Sequence, residues 1–320
     1  MTSRPVDRGR ALVGFAVRLS ITIVALALIL RMIDLQQLAS TIARADARLL
    51  LAACGLYLVA FFICSVRWYV LLLPTDPLPF KHVVRWFLIG AFFNTLLPTT
   101  IGGDVIRIRK AGLRIGSWSR AAATVLLDRV SGYIAITSIG LIATAASLPT
   151  LRAHPVILKS IGVVAILFVA TAAALLSRRV FELILLPIRW AGLRRWHAAL
   201  EEFHHLLRSY GRHPRALTAA VALSFLAQAA AMSLYWVVAQ AIQVPIPLWA
   251  VFVFVPILVL VAMLPISLNG LGIREAAAIV LLGTLGVSQA DAFGLSLLCA
   301  VIPVISGILG GIVFLIERRW

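Results

Sequence analysis

The sequence predicts an all-α protein that crosses a membrane several times, and three observations lead to that fold class. Hydrophobic residues make up 62% of the 320 residues, charged residues only 13%, and the mean hydropathy is +1.03. A water-soluble domain of this length needs more polar side chains to cover its surface. Long apolar runs follow one another along the chain, and Pro and Gly interrupt two apolar segments at the same spacing.

Of nine apolar runs, six are predicted to be full crossings, each of which takes about 20 helical residues. They cover residues 11–30, 49–73, 121–148, 156–176, 216–241 and 292–316. Arginines precede the first run, as in a signal peptide, but the run is too long and no small-residue cleavage site follows it promptly. We therefore expect the first run to be retained as a membrane helix.

The distribution of charge predicts the orientation. Basic residues concentrate in the connections 107–120 and 177–215, whereas 242–247 carries no charge. Because Lys and Arg accumulate in cytoplasmic loops, both basic connections and both termini are predicted to be cytoplasmic, in an inner membrane. The net charge of +17 is accordingly assigned to topology and to anionic lipid head groups, with no nucleic acid as a partner.

Two segments, 83–106 and 248–287, are predicted to be re-entrant. A full crossing by the short run 83–97 would place the basic connection 107–120 on the outer side, whereas a hairpin that enters and leaves on the cytoplasmic side does not. The segment 248–287 starts and ends on the outer side, either as two crossings or as a second hairpin. Because broken helices occur in pairs in inverted repeats, we favour the hairpin. The predicted fold is therefore an all-α polytopic membrane protein with about six full transmembrane helices, two re-entrant helical hairpins and an inverted repeat.

The whole chain, 1–320, is predicted to form a single integral membrane domain. Its first half, 1–176, is joined to its second half, 216–320, by the cytoplasmic connection 177–215. Residues 180–213 mix apolar side chains with Arg and His, which predicts one or two amphipathic helices. Such helices either lie on the inner leaflet or brace the bundle, since both arrangements give the same one-sided pattern.

The two interruptions share the spacing Leu-Pro, four residues, Gly, three residues, Arg. The first runs from Leu97 to Arg107 and the second from Leu264 to Arg274. Pro and Gly break a helix, and a break within a membrane persists only where protein or a water-filled cavity surrounds it. Because many transporters build a midplane site from two such breaks, we predict that Gly103 and Gly270 approach one another.

Three acidic residues lie inside membrane segments, each within three residues of an arginine. The acids are Asp104, Asp128 and Glu275, and the arginines are Arg107, Arg129 and Arg274. A charge at membrane depth costs at least ~2.5 kcal/mol, so each needs a partner or a wet cavity. The first acid and its arginine share a helical face, whereas the members of the other two pairs are adjacent and point to different sides. We expect Asp128 to pair with Arg107 or Arg274, and Glu275 to pair with Arg129, within one cluster.

The same segments resemble the motifs of a known family. Residues 94–107 are similar to N-x-x-x-P-x-x-x-G-G-D-x-x-R, residues 120–132 to R-A-x-x-x-V-x-x-D-R-x-x-G, and residues 267–275 to a closing N-G-L-G-x-R-E. On these ordered motifs the chain is identified as a member of the lysylphosphatidylglycerol synthase transmembrane-region, or flippase-like domain, family. The resemblance extends from the first helix to about residue 316, and Thr99-Thr100 departs from the small residues that many members have there.

The resemblance implies lipid handling. In the multiple peptide resistance factors this module is followed by a soluble aminoacyl-transferase domain and is held to move an aminoacylated lipid between leaflets. The sequence here carries the membrane module without that domain, so lysine transfer is not carried over. The expected ligand is a membrane phospholipid or a polyprenyl-linked lipid, and a lipid-modifying enzyme is the expected protein partner.

Residues and resemblance together predict a site for a phosphate-containing lipid head group. Freed backbone donors and helix N-termini bind anions, arginines grip phosphate, and carboxylates hold a cation or exchange a proton. The predicted substrate-binding residues are Asn94, Gly102, Gly103, Asp104, Arg107, Asp128, Arg129, Asn269, Gly270, Gly272, Arg274 and Glu275. The alternative is a structural role, in which buried ion pairs fix the register of the helices.

An enzyme and an accessory subunit of polyprenyl-phosphate glycolipid synthesis are the competing function classes. In the enzyme, Asp104 and Asp128 would hold a divalent metal. The acids are too few for an oxygen cage without substrate phosphates, and the histidines are expected in loops. No hydrolase, metalloprotease or nucleotide-binding motif occurs. We therefore expect a transporter rather than an enzyme, with no metal and no cofactor.

Overall fold

A computed structural model of the protein describes residues 8–74, 76–97, 102–152, 194–209, 212–264 and 266–317, with isolated positions between 159 and 169. The described residues form helices and connections, without a strand. The helices are α1 (Arg8–Met32), α2 (Leu35–Ala43), α3 (Ala47–Leu72), α4 (Phe80–Leu96), α5 (Gly102–Ile115), α6 (Trp118–Ala146), α7 (Leu148–Leu151), α8 (Arg194–Ser209), α9 (Pro214–Ala241), α10 (Leu248–Met263), a 3-10 turn (Leu268–Gly270), α11 (Ile273–Gly283), α12 (Gln289–Val301) and α13 (Val304–Ile316).

Within the described residues, five helical stretches are long and apolar enough to cross a membrane. They are Phe15–Met32, Ala47–Leu72, Trp118–Ala146, Pro214–Ala241 and Gln289–Ile316. Large apolar side chains on them are exposed, for example Leu51 at 72% and Leu315 at 75%, as lipid-facing positions require. The five stretches match five predicted crossings, and most of the sixth, 156–176, lies outside the described residues. The protein is an all-α polytopic membrane protein.

Both interruptions end a helix at the residue before the proline. Leu97 follows α4 and Leu264 follows α10, and both have extended backbone, with ψ of 141° and 130°. The clash between a proline ring and the preceding residue disfavours helical backbone there, which explains both breaks. After the second break Gly270 and Gly272 have φ of 75° and 85°, a conformation that glycine adopts without strain.

The helices α4 and α5 form an antiparallel hairpin. Near its tip the Gly103 N–H donates a hydrogen bond of 2.7 Å to Asn94 Oδ1. One turn further along, Gly90 lies against Gly103 and Arg107. The hairpin is longer than predicted, because the basic segment after residue 106 continues as helix to Ile115 instead of forming a loop. A re-entrant placement of this hairpin in the bilayer stays a prediction, as does the inverted repeat.

The hairpin packs against α3, α6 and α13. The most extensive packing joins α3 to α9, and α13 packs along α4. The predicted crossing 292–316 is two helices, since α12 ends before Pro303 and α13 begins after it. The second break contacts α1, where the Leu268 N–H donates to Thr22 Oγ1 at 2.9 Å.

The helix α8 braces the bundle. Its Phe203 and Leu206 are 3% and 2% exposed and pack with residues of α3, α6 and α9. Burial in protein therefore accounts for the apolar face of this part of the connection, whereas 177–193 lies outside the described residues. The expectation that every histidine lies in a loop is wrong, since His82 is in α4 and His204 and His205 are in α8.

Candidate functional site

A central cavity of about 580 Å³ opens where the two interruptions meet. The Asn269 side-chain amide donates a long hydrogen bond, 3.4 Å, to the Leu97 carbonyl oxygen, so the two breaks are in contact at this position. The approach of Gly103 to Gly270 stays a prediction. The cavity volume falls within the ~300–1,000 Å³ typical of ligand pockets. The predicted site residues among its lining are Asn94, Asp104, Arg107, Asp128, Arg129, Asn269 and Arg274.

Two aspartates and three arginines form a continuous network on one wall of the cavity. Asp128 accepts from Arg67 Nε at Oδ1 and from Arg107 Nη2 at Oδ2, each at 2.8 Å. Asp104 accepts from Arg129 Nε at 2.9 Å and from Arg129 Nη2 at 3.0 Å. Arg107 Nη1 lies 3.3 Å from Asp104 Oδ1 and so links the two halves. The expected pairs of Arg107 with Asp104 and with Asp128 are both present.

Arg67 was not among the predicted site residues, although it is a central member of this network. Its side chain is 5% exposed in the last third of α3, and Nη1 also donates to Ser224 Oγ at 3.3 Å. Gly132 leaves room for the guanidinium, because a Cβ on this glycine would lie 3.1 Å from Arg67 Nη1. The available signal was an arginine within an apolar run that is otherwise without charge.

Two aromatic rings fix the position of Arg107. Its Cζ lies 4.1 Å from the centroid of Trp68 and 4.4 Å from that of Phe87. The guanidinium is thus held between π faces, which attract a cation, while its edge points to the aspartates. Trp68 is itself held by a long hydrogen bond of 3.4 Å from its Nε1 to Thr124 Oγ1.

Solvent exposure divides the network into an inner and an outer part. The side chains of Arg67, Arg107 and Asp128 are 5%, 5% and 2% exposed, whereas those of Asp104 and Arg129 are 12% and 37% exposed. In the inner part, a change of ion-pair partner would leave a charge buried and unpaired. The outer pair faces the cavity, and Arg129 presents to Asp104 the two-pronged geometry with which arginine binds carboxylates and phosphates.

Glu275 does not pair with Arg129, and this expectation is wrong. Glu275 Oε2 accepts the Gly272 N–H at 2.6 Å, and Oε1 accepts from Arg274 Nε at 3.1 Å and from Ser296 Oγ at 3.2 Å. The adjacent residues meet because Glu275 turns back to cap α11 and the long Arg274 side chain follows it. The predicted single cluster is therefore a network plus a separate pair, of which Arg274 lines the cavity.

Two of the glycine N–H groups that were predicted to be free donors are bound within the protein. The Gly103 N–H is bound by Asn94, and the Gly272 N–H by Glu275. Both helix starts are thus capped by side chains from their own motifs, as unpaired donors inside an apolar protein require. Gly102 and Gly270 are buried beside them and line no part of the cavity. Any anion in the cavity would therefore be bound by guanidinium groups.

The surroundings of the two aspartates disfavour a divalent metal. Each carboxylate directs both oxygens to arginines, and this concentration of positive charge repels a cation. Among the residues that the structure describes, no three His, Cys, Asp or Glu side chains come close enough together to hold a metal ion.

Comparison with known proteins places the whole site within one family. The family described as the lysylphosphatidylglycerol synthase TM region matches residues 15–311, which include both interruptions and every charged residue of the cavity. The UPF0104 membrane protein PH1989 of Pyrococcus horikoshii is 27% identical over 302 residues, which cover 86% of this chain and 89% of that protein. The protein belongs to the lysylphosphatidylglycerol synthase transmembrane-region family.

Proposed function

We propose that this protein moves lipids with a phosphate-containing head group between the leaflets of the cytoplasmic membrane. The observation that carries the proposal is the charge of the central cavity. Four arginines line it, Arg67, Arg107, Arg129 and Arg274, against only two aspartates. Even with Glu275 counted beside Arg274, positive charge is in excess. A phosphodiester compensates that excess, and in a low-dielectric setting the attraction is strong.

The two-pronged ion pair between Arg129 and Asp104 suggests how such a head group binds. Asp104 engages Arg129 through two oxygens, and a phosphodiester presents two oxygens in a similar arrangement. The phosphate would take the place of Asp104 on Arg129, so that one charge-assisted pair replaces another. Asp104 is then available for a cationic part of the head group, in keeping with the aminoacylated lipid that the family description names.

The apolar wall of the cavity supports a lipid rather than a soluble phosphate ester. Phe61, Phe87, Leu271 and Val304 line it together with several alanines. The glycerol and the first acyl carbons would pack on these side chains while the rest of the acyl chains stays in the bilayer. A lipid-modifying enzyme that supplies the lipid is the protein partner that this function implies.

The test is lipid movement in vesicles that contain the purified protein. Fluorescent anionic, zwitterionic and aminoacylated phospholipids are loaded symmetrically, and a membrane-impermeant reductant bleaches the outer leaflet. Without lipid movement, only the half of the label that lies in the outer leaflet is bleached. With active protein, labelled lipid moves from the inner to the outer leaflet, so we expect the bleached fraction to rise well above one half. Arg129→Ala and Arg274→Ala should abolish the additional bleaching, while Arg152→Ala, an exposed arginine outside the cavity, should not.

The same preparation separates a transport site from a structural lock. Each variant is also measured for its yield of monodisperse protein after detergent extraction. Normal yield with lost movement supports the proposal. Bleaching by Arg129→Ala and Arg274→Ala equal to that of the parent protein would refute it, and an absence of movement for every lipid in well-folded parent protein would favour an accessory subunit.

A further inference from the structure

A second cavity, of about 340 Å³, lies at the open end of the α4–α5 hairpin and shares no lining residue with the central cavity. We call it the hairpin groove. The residues of its lining that matter here are His82, Arg109, Lys110, Leu113, Arg114 and Glu317. They lie at the start of α4, in the second half of α5 and at the end of α13, so the groove is formed by one end of each of three helices.

The hairpin groove is positively charged. Among its described lining residues, three cationic side chains of α5 face a single carboxylate, that of Glu317. Partial burial lowers the pKa of His82, and the neighbouring Arg114, Lys81 and Arg85 lower it further. Because these cations disfavour a further positive charge, the groove attracts anions.

The carboxylate in the groove is held loosely. Lys110 Nζ lies 3.6 Å from Glu317 Oε1, which is longer than an ordinary hydrogen bond. Glu317 Oε2 and His82 Nδ1 are buried atoms without a hydrogen-bond partner in the described part of the chain. A buried carboxylate oxygen without a partner costs free energy, so release of the Glu317 side chain into water by a competing anion is favoured.

We infer that the hairpin groove binds the phosphate group of a phosphate ester and that the Glu317 carboxylate competes with it for the same cations. The side chain of Leu113, 73% exposed, lies beside them. An exposed leucine next to arginines suits the acyl and phosphate parts of an anionic phospholipid, which favours a membrane lipid as the source of the phosphate. The inference does not depend on lipid movement through the central cavity.

Calorimetric titration of the full chain in an uncharged detergent tests this inference. The probes are short-chain phosphatidylglycerol, short-chain phosphatidylcholine and glycerol 3-phosphate. Three substitutions are compared with the parent protein. Arg114→Gln removes a cation of the groove, Glu317→Gln removes the competing carboxylate, and Arg212→Gln removes an exposed arginine elsewhere as a charge-matched control. All are made in an Arg129→Ala background, which reduces binding in the central cavity.

We expect Arg114→Gln to weaken phosphatidylglycerol binding by about tenfold or more, Glu317→Gln to strengthen it several-fold, and Arg212→Gln to leave it unchanged. The same dependence for glycerol 3-phosphate would identify a soluble ester as the ligand of the groove. Equal affinities of Arg114→Gln and Arg212→Gln for all three probes, or weaker binding after Glu317→Gln, would overturn the inference. Because this titration measures binding alone, its failure is distinct from a failure of lipid transport.

Discussion

The residues of the central network differ in their exposure and in the number of their ion-pair partners. Asp128 accepts from two arginines and is almost inaccessible, so its charge is fully used by the protein itself. Arg129, with 37% of its side chain exposed, is bound by a single carboxylate that also faces the cavity. The inner residues therefore suit a structural role, and the outer pair suits the ligand binding that we propose.

The first residue-scale prediction concerns Arg67. Substitution Arg67→Met keeps the length of the side chain but leaves Asp128 with one partner in a buried setting. Breaking a buried pair by removing one partner typically costs ~3–5 kcal/mol, so we expect a clear fall in thermal stability in detergent. Arg129→Met, whose side chain is much more exposed, should lower the unfolding temperature far less. Equal falls for the two variants would contradict the division into inner and outer parts.

At the scale of the element, the α4–α5 hairpin depends on close backbone contact. A Cβ on Gly103 would overlap the Gly90 carbonyl oxygen and lie 2.7 Å from Asn94 Cγ. Asn94 cannot move away without losing the hydrogen bond that it accepts from the Gly103 N–H, and the Gly90 carbonyl group is part of the α4 backbone. The two glycines and the asparagine therefore set how closely the arms approach, and through this the position of Asp104 and Arg107.

Gly103→Ala should consequently destabilise the protein by about 1–3 kcal/mol, the usual cost of overpacking, and reduce lipid movement by displacing α5. The matched control is Gly55→Ala in α3, where a Cβ would meet no atom within 4 Å. The control should be neutral or slightly stabilising, because alanine favours a helix more than glycine does. Unfolding curves of the two variants in the same detergent provide the measurement, and a Gly103→Ala curve that coincides with the control would refute this account of the hairpin.

Local chemistry explains which elements were predictable from the sequence. Leu97 and Leu264 stop their helices because a proline follows each, and that steric rule needs no knowledge of the fold. The contact of Arg274 with Glu275 was missed because it depends on the capping geometry at Gly272. Arg67 was missed because its partner is 61 residues away, and only the packing of α3 against α6 brings them together.

At the scale of the whole molecule, the two connections richest in Lys and Arg meet at one end of the bundle. Arg120 Nε, at the start of α6, lies 3.5 Å from Glu202 Oε1 of α8, so the connection 107–120 meets the described part of the connection 177–215. Near the C-terminus, Glu317 Oε1 lies 3.6 Å from Lys110 Nζ of α5. At the opposite end the Asp46 N–H donates to the Ala241 carbonyl oxygen at 2.9 Å, beside the uncharged connection 242–247.

This separation of charge yields the last prediction, that the end with α8 and Glu317 is cytoplasmic and the end with 242–247 is outside. Positive residues are retained on the cytoplasmic side during insertion, and here the described basic connections share a single end. Single cysteines at Leu113 and Pro245, both exposed, report the two ends once Cys54, Cys64 and Cys299 are replaced by alanine. In intact cells a membrane-impermeant maleimide should label Pro245→Cys, and it should label Leu113→Cys only after permeabilisation. The opposite pattern would invert the topology and would place the hairpin groove on the outer face of the membrane.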